Sequence, residues 1–158
     1  MQEVDTREMV DFGRTLSNLL GELPEMRREL HEELAELAKK EVDAAISSSG
    51  LNDSSGDIRR WQAAHIGSGG GYAAVRAASE KEGGGTGPNS AGAITNDLEG
   101  GHKIRPPSGK PGYRPRIRMA YVNGYHFYQT ARSSLEAKAI RLAEQFVEKF
   151  AKKLEGEE

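Results

Sequence analysis

The chain has 158 residues, 36% of them hydrophobic and 29% charged, which is enough for one domain with a modest core. Its 22 basic and 24 acidic residues nearly cancel, so net charge favours neither a nucleic-acid-binding protein nor an acidic one. The absence of cysteine excludes disulfides, thiol nucleophiles and cysteine-ligated metals. The charged start MQEVDTREMV does not resemble a signal peptide, and no apolar run approaches the roughly 20 residues that span a bilayer. We therefore expect a soluble protein made in a cytoplasm.

The first fifty residues predict a helical block over 5–47. Apolar residues recur at steps of three and four on both sides of Pro24, which is typical of amphipathic helices at about 5–20 and 24–47. Whether Pro24 kinks one helix or separates two stays open, because proline suits the first turn of a helix and disrupts its interior. The leucines could also form an intermolecular coiled coil, but their pattern covers only about three heptads. Packing on another helix of the same chain is the preferred interpretation.

The glycine-rich middle of the chain predicts a small, mainly antiparallel sheet with long loops over 57–122. The candidate strands are 57–66, 72–78, 93–99 and 116–122. The last is the best candidate because apolar and basic residues alternate along it, whereas the alanines of the first two would equally suit a helix. The stretches at about 79–92 and 100–115 are expected to lack regular structure, and loops of this length are usually functional or disordered.

The strongest periodicity in the chain predicts a long amphipathic helix over 125–155. Asn123-Gly124 could form a hairpin turn with the next residues as a returning strand, but a turn into this helix is preferred. The residues expected to pack between the N-terminal and C-terminal helices are Leu30, Leu34, Leu37, Leu135, Leu142, Phe146 and Phe150. The predicted fold is α+β, one domain over 1–158, with N-terminal helices and a long C-terminal helix packed on the small sheet.

Motifs for catalysis or cofactor binding are not found in the sequence. The clusters GSGGGY and GGGTGP match neither nucleotide fingerprint and are more simply turns. His65, His102, His126 and Glu99 could be combined into a metal site on paper, but their spacing fits no known ligand pattern. Neither GxSxG nor HExxH occurs. We therefore expect no enzyme, no catalytic residue, no metal and no cofactor.

A basic segment over 102–118 is the best candidate for a binding site, because it contains no acidic residue and is interleaved with four prolines. Its candidate contact residues are Lys103, Arg105, Lys110, Tyr113, Arg114, Arg116 and Arg118. Such a segment could lie against the phosphates of DNA or an acidic partner surface. It could equally be a solvated loop that its own charge keeps extended. Proline and glycine favour an arm that becomes ordered on contact.

Four sequence features, taken in order, are similar to those of one protein family. They are the helical opening FGRTLSNLLGELPEMRRELHEELAELAKKEVDAAI, the turn DSSGDIRRW at 53–61, the element AITNDLEGGH at 93–102, and VNGYHFYQTARSSLE before the last helix. With them the chain resembles the gp-ten-like tail-completion family, small neck and minor tail proteins of tailed bacteriophages. It departs from the family pattern by lacking the proline before the turn at 53–61 and by a glycine-rich stretch at 83–92 that looks like an insertion.

The resemblance implies a structural protein of the virion with no active site, a tail-completion or head-tail connector protein made in the host cytoplasm. It implies a ring of six or twelve copies around the DNA channel, in contact with adjacent neck, portal-adaptor or tail-tube proteins and with packaged DNA in the lumen, and no membrane. The competing hypothesis is a nucleic-acid-binding or regulatory helical protein that uses the segment 102–118.

Overall fold

The computed structural model describes residues 7–104 and 120–155, and two long helices account for most of them. In chain order the elements are α1 (Arg7–Ser48), α2 (Asp57–Trp61), β1 (Gln62–Ile66), β2 (Ala73–Ala77), α3 (Ala91–Gly100), β3 (His102–Lys103), β4 (Tyr121–Val122) and α4 (Phe127–Glu155). Single turns of 3-10 helix lie at Ser68–Gly70, Glu80–Glu82 and Gly87–Asn89. The strands form two antiparallel pairs, β1 with β2 and β3 with β4. The predicted α+β class is confirmed.

The N-terminal block is one helix rather than two, because α1 continues through Pro24. A proline inside a helix lacks the N–H of one helical hydrogen bond, so α1 needs support from elsewhere at this point. That support comes from packing on both sides of the proline, where Leu19 and Met26 are both buried. The sequence left the choice between a kink and a break open, and tertiary packing decides it.

The helices α1 and α4 lie side by side in opposite directions. Near the start of α4, the carboxylate of Glu41 accepts hydrogen bonds from Ser134 Oγ (2.7 Å) and from Lys138 Nζ. Near its end, Lys153 Nζ donates to the carboxylate of Glu22 (2.8 Å). Since Glu22 lies opposite the last turn of α4, residues 7–18 of α1 extend about 18 Å beyond it at 1.5 Å per residue.

The ribbon β1–β2 packs against α1, and its tight turn explains one glycine cluster. Gly70 is in the left-handed region at φ +66°, and a Cβ built there would lie 3.3 Å from the Cβ of Arg28 on α1. A side chain at this position would be strained and crowded. The cluster GSGGGY therefore forms a turn pressed against a helix.

Two of the predicted strands are wrong in whole or in part. The first half of 57–66 is α2, because the carboxylate of Asp53 accepts the N–H groups of Ile58 (2.9 Å) and Arg59 (3.2 Å) and so starts a helical turn. Although burial alone would raise it, these hydrogen bonds hold the pKa of Asp53 below its ordinary value. The segment 93–99 is not a strand but part of α3, whose first turn is capped by Ser90, the acceptor for the N–H of Ala93 (3.2 Å).

The remaining predictions for the middle of the chain are met in part. The segment 72–78 contains β2, and the described end of 116–122 is β4, while 116–119 lies outside the described residues. The stretch 79–92, expected to lack regular structure, contains two turns of 3-10 helix and the start of α3. Of 100–115, the part after 104 also lies outside the described residues.

The buried core lies where the second half of α1 meets the first turns of α4. Its members are Val42, Ala45, Ile46, Phe127 and Ala131. Side chains from α2, the ribbon β1–β2 and α3 close over this cluster, among them Ile58, Val75 and Leu98. Between β4 and α4 the described chain forms no returning strand after Asn123-Gly124, and α4 begins at Phe127, so the alternative hairpin is wrong and the chain leads into the helix as preferred.

Candidate interaction surface

A buried polar joint fixes the start of α4 against the rest of the protein. Gln62 at the start of β1 is 1% exposed, and its amide nitrogen donates to the carbonyl of Ile58 (2.9 Å) and to Thr95 Oγ1 (3.2 Å). Its amide oxygen accepts a hydrogen bond from the hydroxyl of Tyr128. Burial, with a smaller effect of the nearby Glu99 carboxylate, raises the pKa of Tyr128 to about 12. The joint therefore links α2, β1, α3 and α4 through satisfied polar groups.

The first turn of α4 is also held by α3. The carboxylate of Glu99 accepts the N–H groups of Tyr128 (3.0 Å) and Gln129 (3.3 Å), which have no partner within the helix. The backbone N–H of Tyr125 donates to the carbonyl of Leu98 (2.7 Å). Gly124 lies so close to the carbonyl of Glu99 that a Cβ at this position would collide with it. The chain entering α4 is thus fixed by backbone contacts that need glycine.

The seven residues predicted to pack between the two long helices all lie on α1 or α4 and are half-buried: Leu30, Leu34, Leu37, Leu135, Leu142, Phe146 and Phe150. Leu30, Leu142 and Phe146 border one groove between the helices. The four of them that belong to α4 form its inner face, which meets α1.

A second apolar stripe runs along α4 beside the inner face and stays open to solvent. Ile140 is 54% exposed and Val147 is 63% exposed, and the small side chains of Ala143 and Ala151 lie between and after them. Two carboxylates border the stripe. We call this the outer face of α4, made of Ile140, Ala143, Glu144, Val147, Glu148 and Ala151. Periodicity showed both stripes in the sequence but could not show which of them α1 would cover.

The part of α1 that extends beyond α4 is also exposed and apolar. Met9, Val10 and Phe12 each have more than half of their surface open to solvent. Large apolar side chains rarely cluster on the free surface of a monomeric protein without serving a contact. Met9, Val10, Phe12 and Val147 therefore lie on the half of the helix pair that is remote from the core.

Of the seven candidate residues of the basic segment, only Lys103 lies within the described residues. It belongs to β3 and is exposed. The other six, namely Arg105, Lys110, Tyr113, Arg114, Arg116 and Arg118, lie outside the described residues. The two ends of the segment are joined, because the N–H of Ile104 donates to the carbonyl of Ala120 (3.1 Å). The described residues on the two sides of 105–119 thus lie together, beside the start of α4.

The residues that could form a metal site on paper do not converge in the structure. Within residues 7–104 and 120–155, no three histidine or acidic side chains come close enough to hold a metal ion. Glu99 is engaged by the N-terminus of α4, and the ring of His65 contacts that of Tyr72 at a centroid distance of 6.0 Å. In the described part of the chain, His102 Nδ1 is buried without a hydrogen-bond partner, beside the ends of the basic segment.

Comparisons with known proteins do not assign a family. A scan of protein-family models, a search of curated proteins and a search of solved structures each found no match to this chain. Among the described residues, neither long helix is apolar enough over a sufficient length to cross a membrane.

Proposed function

We propose that this protein is a structural subunit of the head-tail neck or tail of a tailed bacteriophage, a tail-completion or head-tail connector protein that forms a ring around the DNA channel. The observation that carries the proposal is the outer face of α4, an apolar helix surface that residues 7–104 and 120–155 leave uncovered. The sequence resemblance to the gp-ten-like family supplies the particular assembly. The proposed role needs no catalytic residue, metal or cofactor.

The small size of the outer face suits a subunit that associates weakly in pairs and stably only in a closed ring. Fully burying a valine or isoleucine side chain contributes roughly 2 kcal/mol, and because nearly half of Ile140 and Val147 is already covered, burying the rest of both contributes only about 2 kcal/mol. That value is below the roughly 4 kcal/mol of a 1 mM dissociation constant, even before the entropy cost of association is subtracted. A pair of copies should therefore hold together weakly, whereas a closed ring in which every copy makes two such contacts would be stable.

The polar interior of the described residues is consistent with a structural role. The buried polar side chains Glu41, Gln62 and Thr95 are each hydrogen-bonded to neighbouring elements. Because their hydrogen bonds are made within the fold, these buried groups stabilise it, which supports a function carried by the surface.

The alternative function, nucleic-acid binding through the segment 102–118, is favoured by the absence of any acidic residue there. It predicts that the isolated protein shifts DNA in a gel and that binding weakens steeply with salt. Triple replacement of Arg114, Arg116 and Arg118 by glutamine should then abolish the shift. A neck protein should show little binding as an isolated subunit.

The proposed function is tested by electron microscopy of lysates from the parent phage carrying variants of this gene. Disrupting the gene should leave filled heads and free tails unjoined, or heads that have lost their DNA. Normal infectious particles after disruption would overturn the virion role.

A matched pair of substitutions tests the outer face itself. Ala143→Asp places a charge on the outer face, whereas Gln145→Asp places the same charge at an exposed position of α4 that borders the other groove. We expect unjoined heads and tails with Ala143→Asp and normal particles with Gln145→Asp. Normal particles with both variants would show that the outer face does not serve assembly.

A further inference from the structure

The chemistry of the outer face of α4 defines what can cover it. Its centre is apolar, and the carboxylates of Glu144 and Glu148 border it. Glu148 also forms an ion pair with Lys152 one turn later (3.3 Å), and both side chains remain exposed. A complementary partner should present apolar side chains together with positive charge.

A second copy of α4 does not meet this requirement. If two α4 helices packed antiparallel through the centres of their outer faces, Ile140 of one would lie opposite Ala151 of the other. In the same register, Glu144 of one would lie within one residue, about 1.5 Å along the axis, of the position that faces Glu148 of the other. Like charges in facing positions destabilise helix pairs, so the face disfavours symmetric pairing with itself.

The chain contains one segment with the required composition, residues 105–119. It carries five basic residues and no acidic one, and its apolar side chains include Ile117 and Met119, which alternate with Arg116 and Arg118. The segment therefore has both the positive charge and the apolar side chains that the outer face requires of a partner.

The length of this segment determines whether it can cover the outer face of its own copy or only that of another copy. Its fifteen residues start and end at one place, beside the start of α4, because Ile104 is hydrogen-bonded to Ala120. Such a segment reaches at most about 25 Å, half its length at about 3.3 Å per residue. Val147 and Ala151 lie about 30 and 36 Å along α4 from Phe127, at 1.5 Å per residue. The far half of the outer face is thus out of reach of the copy's own segment.

We infer that the outer face of α4 binds the segment 105–119 of a second copy of this chain. The apolar side chains of the segment cover Ile140 and Val147, and its arginines pair with Glu144 and Glu148. Each copy then donates one segment and receives another, which is the head-to-tail arrangement that closes into a ring. The inference rests on the proposed function, for which it names the contact between subunits.

The test uses the natural absence of cysteine, which allows single cysteines to report contacts without background. Two full-length chains are prepared, one with Ala143→Cys on the outer face and one with Ile117→Cys in the segment. They carry tags of different size, are mixed at high protein concentration and are oxidised. The control replaces Ala143→Cys by Gln145→Cys, an exposed position on α4 that borders the other groove. A third chain carries Ala143→Cys and Ile117→Cys together.

We expect a disulfide-linked heterodimer from Ala143→Cys with Ile117→Cys, and none above background with the Gln145→Cys control. Equal cross-linking with the control, or no cross-linking of either, would overturn the inference. So would a disulfide within a single copy of the doubly substituted chain, or preferential linkage between two Ala143→Cys copies.

Charge reversal provides a second test that does not depend on disulfide geometry. Reversal of the face by Glu144→Lys with Glu148→Lys, or of the segment by Arg116→Glu with Arg118→Glu, should each abolish cross-linking to an unaltered partner. Combining the two reversed chains should restore it, and failure of this rescue would contradict the pairing. If cross-linking fails while Ala143→Asp still blocks particle assembly, the inference falls and the proposed function stands. If Ala143→Asp leaves particles normal, the proposed use of the outer face in assembly is wrong, and the inference that depends on it is wrong as well.

Discussion

The two ends of the α1–α4 helix pair differ in what surrounds them. At the end where α4 begins, the helix is enclosed by α1, α3 and the ribbon β1–β2, and Phe127 is completely buried. Toward Glu155, the contacts of α4 within the described residues are with α1, through Lys153 and Glu22, and Val147 on its outer face is mostly exposed. One amphipathic helix thus provides core packing at one end and free apolar surface at the other.

This difference indicates a division of labour along one helix. The enclosed end contributes most of the apolar burial and contains the polar joint around Gln62, so it should supply most of the folding free energy. The open end contributes half-buried leucines and phenylalanines and should tolerate change better. Substitutions at equivalent residue types in the two ends can test the division.

The largest effect is expected from Phe127→Ala compared with Phe146→Ala. Removing a fully buried phenylalanine costs about 3 to 5 kcal/mol of unfolding free energy, because a cavity is left behind. Phe146 is only half-buried, and its loss should cost about half as much. Urea denaturation of the two variants measures both values, and equal losses would show that the two ends contribute alike.

A smaller loss is expected from Tyr128→Phe in the polar joint. The change removes the hydroxyl that donates to Gln62 and leaves a buried amide oxygen without its partner. An unsatisfied buried acceptor costs roughly 1 to 3 kcal/mol. Tyr125→Phe is the control, because that side chain is exposed. An unchanged denaturation midpoint for Tyr128→Phe would show that the joint does not stabilise the fold.

The pH dependence of stability tests the contribution of Tyr128 to the enclosed end in a second way. The pKa of Tyr128 is about 12 in the folded protein and about 10 when the chain unfolds, so its protonated form is favoured by folding. Its contribution is complete below pH 10 and declines as the pH rises from about 10 to about 12. The difference in unfolding free energy between wild type and Tyr128→Phe should therefore shrink over that range. A constant difference would contradict the raised pKa.

The smallest effect is expected from Glu41→Gln, where α1 and α4 meet between the two ends. Hydrogen bonds from Lys138 and Ser134 lower the pKa of Glu41, although its burial opposes this. Folding therefore favours the carboxylate, and the stabilisation is present above the unfolded pKa of about 4.5 and is lost as the pH falls through the lower folded value. At pH 7 we expect a loss of about 1 kcal/mol for the variant, typical of one hydrogen-bonded contact. The gap to wild type should close in acid, and a gap that persists at low pH would contradict this.

The long helices could be predicted from the sequence because their apolar stripes are long and regular, and their burial follows from those stripes. The short elements could not. The segment 93–99 contains β-branched Ile94 and Thr95, which favour a strand, yet the cap from Ser90 and its packing beside Gln62 make it a helix. The half of the α4 stripe that stays exposed also could not be predicted, because periodicity does not reveal how much of a wide apolar face one neighbouring helix can cover.

The pairing of α1 with α4 also determines the order in which the protein can fold. The contacts that hold the pair join residues far apart in sequence, with Ser134 bonded to Glu41 and Lys153 bonded to Glu22, 93 and 131 positions away. Contacts of such long range close slowly, because the intervening chain must be ordered or looped out first. During synthesis α1 leaves the ribosome long before α4 exists, and the part of its apolar stripe that α4 covers lacks this partner in that interval. The docking of α4 is therefore the step that completes folding and ends the exposure of α1 to chaperones and to other nascent chains.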